Sequence, residues 1–133
     1  MPLFHMEHCV FAALMSNGAD YKTCGRPCER HVVALRDRTG ALHPLEADVG
    51  CRNTVFHGKS QSAATLVPTL QKQGVRRFRI ELVRESPEEI GRLVRTYQSL
   101  MNGQKNADEV WRALRASADD GYGVVRGSLR VLQ

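Results

Sequence analysis

The 133-residue chain has no apolar run approaching the roughly 20 residues a membrane-spanning helix needs. Its first residues, Met1-Pro2-Leu3-Phe4-His5-Met6-Glu7, lack the basic segment and following apolar stretch of a secretory signal. Both absences lead to the expectation of a cytoplasmic protein with no membrane partner. Aromatic residues are scarce, at 6%, and they are not interleaved with basic residues as in a nucleic-acid-binding patch. There is no G-x-S-x-G and no H-E-x-x-H, so serine-hydrolase and zincin chemistries lack support. Phosphate-binding glycine loops are also missing. Disordered and fibrous classes are excluded by ordinary globular values of 42% hydrophobic and 25% charged residues.

What the chain does contain is four cysteines, Cys9, Cys24, Cys28 and Cys51. In a reducing compartment such residues serve metal binding or catalysis, or are isolated thiols, more often than they form disulfides. The spacing Cys9-x14-Cys24-x3-Cys28-x22-Cys51 fits a four-thiolate site assembled from three loops. Thiolates in that number suit an iron–sulfur cluster or zinc. The net charge is +5, and of 19 basic residues 15 are arginine, counted along the sequence. Arginine suits phosphate and planar-base contacts, which makes RNA a candidate partner. The dispersal of the arginines favours ordinary surface charge.

The pattern of elements is α/β. Residues 2–6 read as a buried strand, and Ser16-Asn17-Gly18 as a turn. Gly25 and Pro27 make 24–28 an irregular loop. Residues 31–35 and 41–47 form a hairpin around Asp37-Arg38-Thr39-Gly40, with the Pro44 arm expected at an edge. A helix is expected over 62–73, its regular part starting near Pro68 and ending at Gly74. Phe78, Ile80 and Leu82 alternate with Arg77, Arg79 and Glu81, which predicts a strand over 76–83. Ser86-Pro87-Glu88-Glu89 is a capping box opening a helix that ends at Asn102-Gly103. A second helix starts near Asn106, and 124–132 reads as a terminal strand. This order suggests βα units on a mainly parallel sheet, but with too few strands to complete one. Met1 opens almost directly on a core-type strand. The expectation is therefore the C-terminal part of a larger fold, completed by an N-terminal half-barrel chain or by self-association.

Three segments carry a resemblance to a known family: Phe4-His5-Met6-Glu7-His8-Cys9-Val10-Phe11, Asp20-Tyr21-Lys22-Thr23-Cys24-Gly25-Arg26-Pro27-Cys28-Glu29, and Ala47-Asp48-Val49-Gly50-Cys51-Arg52-Asn53-Thr54-Val55-Phe56. Together they resemble the C-terminal half of peptidase family U32, the collagenase-like proteases. The resemblance implies a partial (β/α) barrel-like fold with an inserted β-hairpin and C-terminal helices. The catalytic half-domain would span 1–103, with its cysteine cluster in 9–51, and a helix and tail would follow over 104–133. It further implies a four-iron four-sulfur cluster, as in family members that resemble oxygen-independent hydroxylases of RNA or of quinone precursors; zinc, or no metal, is the alternative. Cys9, Cys24 and Cys51 match cluster ligands. The family pattern has a further cysteine where this chain has Ala12, so Cys28 becomes the candidate fourth ligand, with a three-cysteine cluster and an open iron as the other arrangement.

Polar candidates accompany the cysteines. Glu7 and His8 sit at the end of a strand, where catalytic groups collect in barrel folds. Arg79 and Glu81 share the polar face of the strand expected over 76–83. Three readings stay open at this point. One is an iron–sulfur segment supporting hydroxylation of RNA or a small cofactor precursor, and another is a cysteine-dependent, collagenase-like peptidase using Cys9 with His8. The last is a non-catalytic metal-stapled RNA-binding module or an inactive split-gene fragment.

Overall fold

The computed structural model describes residues 1–18, 20–116 and 123–127. The chain gathers into two compact units, Met1–Gly58 and Lys59–Gln133. Both strands and helices are present, so the fold is mixed α/β.

The first unit is built on four strands: β1 (Pro2–Met6), β2 (Val33–Arg36), β3 (Leu42–Ala47) and β4 (Asn53–Phe56). They form one sheet in the order β1-β4-β3-β2, and every pairing is antiparallel. This corrects the expectation of a mainly parallel sheet. The reason is connection length: β2–β3 and β3–β4 are joined by tight turns, and a turn of that size can only return the chain antiparallel. Among the described residues the sheet does not close into a barrel.

Two further expectations change here. Residues 2–6 do form a strand, but an outer one, and Leu3 and Phe4 are 43% and 49% exposed. Pro44 is not on an edge arm, because β3 lies between β2 and β4. Its missing N–H is tolerated because β3 pairs with β4 only from Leu45 to Ala47, one residue beyond the proline. The helix α1 (Val10–Met15) covers the sheet, and Phe11, Leu45 and Val55 form the buried centre.

The β2–β3 turn is organised by Asp37. Its carboxylate accepts from the Thr39 hydroxyl (2.7 Å), the Thr39 and Ala41 amides (2.8 and 2.9 Å) and His43 Nε2 (3.2 Å). Gly40, at φ 88°, supplies the left-handed residue that closes the turn. The Thr39 hydroxyl first, then His43, hold the Asp37 carboxyl well below the usual carboxylate range. A depressed folded value stabilises the protein at pH above the ordinary value of about 4 and loses that effect as pH falls toward the folded value. Acid titrations of unfolding should therefore show a shallower loss of stability below pH about 4 for Asp37→Asn than for the native chain. Identical slopes would remove Asp37 from the account.

The second unit contains α2 (Val67–Lys72), α3 (Pro87–Met101) and α4 (Ala107–Ala116), with β5 (Ser60–Ser62) and β6 (Val124–Arg126) paired in parallel. Ala64, Val67, Leu100, Val110 and Leu114 form its core. The expected capping box is present: Ser86 Oγ accepts from the Glu89 amide, and Glu89 accepts in return from the Ser86 amide. Asn106 caps α4 in the same reciprocal way with Glu109. Of the helix expected over 62–73, the first residue belongs to β5 and the helix proper starts at Val67, one residue before Pro68.

The segment 76–83 is not a strand, a further correction. Phe78 packs against the core and Ile80 is half-buried, while Arg77, Arg79 and Glu81 are exposed; Leu82, expected on the inward face, is 43% exposed. The alternation records the inward positions only as far as Ile80. It does not by itself supply a neighbouring strand to bond with. Of the terminal strand expected over 124–132, the part after residue 127 lies outside the described residues. No helix among the described residues is long and apolar enough to cross a membrane.

Candidate metal centre

Strand pairing places two of the cysteines at one end of the first unit's sheet. β1 and β4 run antiparallel with Met6 opposite Asn53, so the exit from β1 and the entry to β4 coincide. Cys9 lies three residues beyond Met6, as the residue capping the N-terminus of α1. Cys51 lies two residues before Asn53, in the turn between β3 and β4. That turn is held by Cys51 N–H donating to the Asp48 carbonyl (3.1 Å) and by the Asp48 amide donating to the Arg52 carbonyl (2.7 Å).

Asn53 joins the two positions. It is fully buried, and its Oδ1 accepts from the Val10 amide at 2.6 Å while its Nδ2 lies 3.8 Å from Cys9 Sγ. Cys28 belongs to a 3₁₀ turn, Pro27–Glu29, which contacts α1. Cys9 and Cys28 both pack against the Phe11–Leu45–Val55 centre.

Cys24 is positioned by the loop before it. Asp20 Oδ1 accepts from the Lys22 and Thr23 amides (3.0 Å each) and the Thr23 hydroxyl (2.9 Å), and the Asp20 carbonyl accepts from the Cys24 amide at 2.8 Å. Gly18 packs so closely that a Cβ there would overlap the Thr23 carbonyl and the Cys24 amide. Gly18→Ala should consequently displace Cys24, destabilising the chain by about 1–3 kcal/mol and weakening metal retention. Denaturant titration and bound-metal analysis check both parts; wild-type values in both would show that the loop yields freely.

Between Cys24 and Cys28 the chain turns through two successive left-handed residues, Gly25 (φ 67°) and Arg26 (φ 50°). Cys51 is itself left-handed at φ 64°. Among the described residues, Arg26 and Cys51 are the non-glycine residues with positive φ, and both lie in cysteine-bearing loops. Such residues cost roughly 1–2 kcal/mol and persist where surrounding contacts over-determine them.

All four cysteines are free thiols and each is half-buried. Partial burial first, then the charges of Cys9, Cys24, Cys28 and Asp20, raise the Cys51 thiol above its ordinary value. Among the described residues no three His, Cys, Asp or Glu side chains are grouped tightly enough to hold a metal ion. As a donor set, four thiols from three loops, with one amide donor aimed at a sulfur, suit a thiophilic centre.

The chain matches no family model, no curated protein and no solved structure.

The remaining sequence candidates fall in different places. Glu7 and His8 are exposed, between the end of β1 and Cys9. Cys9 thus sits at a helix cap rather than beside His8 on a strand. Ala12 lies on α1, half-buried and three residues after Cys9. Arg79 and Glu81 belong to the second unit and pair with each other at 2.5 Å, their side chains 83% and 55% exposed.

Two features escape the sequence reading. One is Asn53, for which the available signal was an asparagine opening a strand, where it is disfavoured, two residues after a cysteine. The other is a shallow depression of about 390 Å³ on the Cys24–Cys28 loop, lined by Tyr21, Lys22, Gly25, Arg26, Glu29 and Arg30. Arg26 pairs with Glu29 at 3.2 Å and Arg30 donates to the Gly25 carbonyl at 2.8 Å. The lining carries three cations against one anion.

Proposed function

We propose that this chain is part of a collagenase-like (family U32) protein, and that it contributes an iron–sulfur-binding segment for oxygen-independent hydroxylation of RNA or a small cofactor precursor. The observation that carries the reading is that Cys9 and Cys51 flank one end of the β1–β4 ladder, with Asn53 Nδ2 3.8 Å from Cys9 Sγ and Cys28 packed on the same apolar centre as Cys9. The resemblance of the three cysteine-bearing segments supplies the rest, including the four-iron four-sulfur assignment and the partial barrel. In that barrel the first half would come from another chain or from self-association.

When bound, the cluster would supply one-electron chemistry. The chain's own residues would do the holding. Cys9 and Cys51 present thiolates from the end of the β1–β4 ladder, and Cys24 and Cys28 from the loop between α1 and β2. Asp20 fixes the approach of Cys24. The cationic depression beside Cys24 and Cys28 supports a phosphate-bearing substrate.

The competing reading is a cysteine-dependent peptidase, for which Cys9 would be the nucleophile. An assay on gelatin with native chain and Cys9→Ala separates the two. The iron–sulfur reading expects no proteolysis by the native chain under reducing, metal-free conditions. Proteolysis that Cys9→Ala abolishes would replace it with the peptidase reading.

A further inference from the structure

Buried polar side chains need partners for every donor and acceptor, and their partners reveal what they hold in place. In the first unit Asn53 is buried and fully inaccessible. It opens β4, opposite Met6 of β1 and Ala47 of β3, so its backbone is fixed by strands on both sides. A side chain on so rigid a base aims accurately.

Its two amide atoms have unlike partners. The Val10 N–H is one of the donors left without an intrahelical partner in the first turn of α1. It donates to Oδ1 at 2.6 Å. Because that atom must be the acceptor, the other must be the NH₂ group, and it lies 3.8 Å from Cys9 Sγ. Cys9 makes no side-chain cap to its own helix. Asn53 takes that capping role from across the sheet and faces the sulfur at the same time.

We infer that Asn53 is a positioning residue for the metal centre: its carbonyl pins the start of α1, and its NH₂ donates a hydrogen bond to the Cys9 sulfur. This rests on reading the four cysteines as a metal centre. A hydrogen bond to a ligating sulfur fixes its direction and draws charge from it, which favours the reduced form of a bound cluster. Packing alone would need only a side chain of this volume. Positioning needs the NH₂ group on the side facing Cys9.

The test uses the full chain with Asn53→Leu and Asn53→Ala. Leucine keeps the volume but removes both the oxygen that accepts from Val10 and the NH₂ facing Cys9, and it adds no charge. After anaerobic loading with ferrous iron and sulfide, both variants should show a more negative reduction potential than the native chain. Asn53→Leu fills the buried site, so the shift does not depend on Asn53→Ala folding well. In the metal-free chain at neutral pH, Cys9 should react several-fold more slowly with iodoacetamide in Asn53→Leu, because the lost donor no longer stabilises its thiolate, read by peptide mass spectrometry against Cys51 in the same sample. Unchanged potentials in loaded variants, or unchanged Cys9 labelling, would overturn the inference while leaving the metal reading intact. A native chain that takes up no iron would sink the metal reading, and the labelling ratio would still decide the role of Asn53.

Discussion

Cys51→Ser is expected to cost the chain its bound iron, with retention falling by roughly tenfold or more, since even residues supporting a ligand change metal affinity 10–100-fold. Cys51 combines several features of a ligand. It sits in a left-handed turn between two strands, at the end of the sheet from which Cys9 also projects. The charges of the other three cysteines act on its thiol. In the proposed centre a cation would favour the thiolate form of Cys51, since metal ligands bind deprotonated. Serine keeps the size of the side chain and removes the soft donor. Iron and sulfide analysis after anaerobic loading reads the result, and full retention would exclude Cys51 as a ligand.

The same measurement on Cys28→Ser separates two arrangements. Cys28 packs against the same apolar centre as Cys9, in a turn that contacts α1. If it is the fourth ligand of the proposed cluster, its loss matches that of Cys51. If three cysteines suffice, Cys28→Ser keeps its iron.

Leu45→Ala is expected to destabilise the chain by about 2–5 kcal/mol, as large-to-small changes at fully buried positions do. Leu45 is completely inaccessible, pairs with Val33 on one side and Val55 on the other, and with Phe11 and Val55 forms the first unit's buried centre among the described residues. Its β-strand neighbours are held in place by the ladder on both sides. Cys9 and Cys28 pack against this centre, so metal retention should fall with stability. A shift in the midpoint of denaturant unfolding checks the first part. A loss under 1 kcal/mol would show that the sheet collapses around the gap.

What could be read from the sequence divides along the range of the interactions involved. The capping box of α3, the start of α4 near Asn106 and the Asp37 turn were legible because each is complete within a few residues. Sheet polarity was not. Beyond the hairpin of β2 and β3, it depends on β1 finding β4 across 46 intervening residues, from Met6 to Asn53. Alternation over 76–83 described Phe78 and Ile80 correctly but not the exposed Leu82, and it gave the wrong element, since ladder partners are nonlocal. For the site, spacing and residue type indicated which cysteines could act together. Asn53 stayed hidden, because an asparagine's role depends on what its two amide atoms face.

The most direct test of the central claim is iron and acid-labile sulfide analysis of the full chain purified without oxygen. The account predicts a brown protein with four iron and four sulfide per chain, or the equivalent loading after reconstitution. A colourless protein that binds neither iron nor sulfide, or one that holds only zinc, would contradict it.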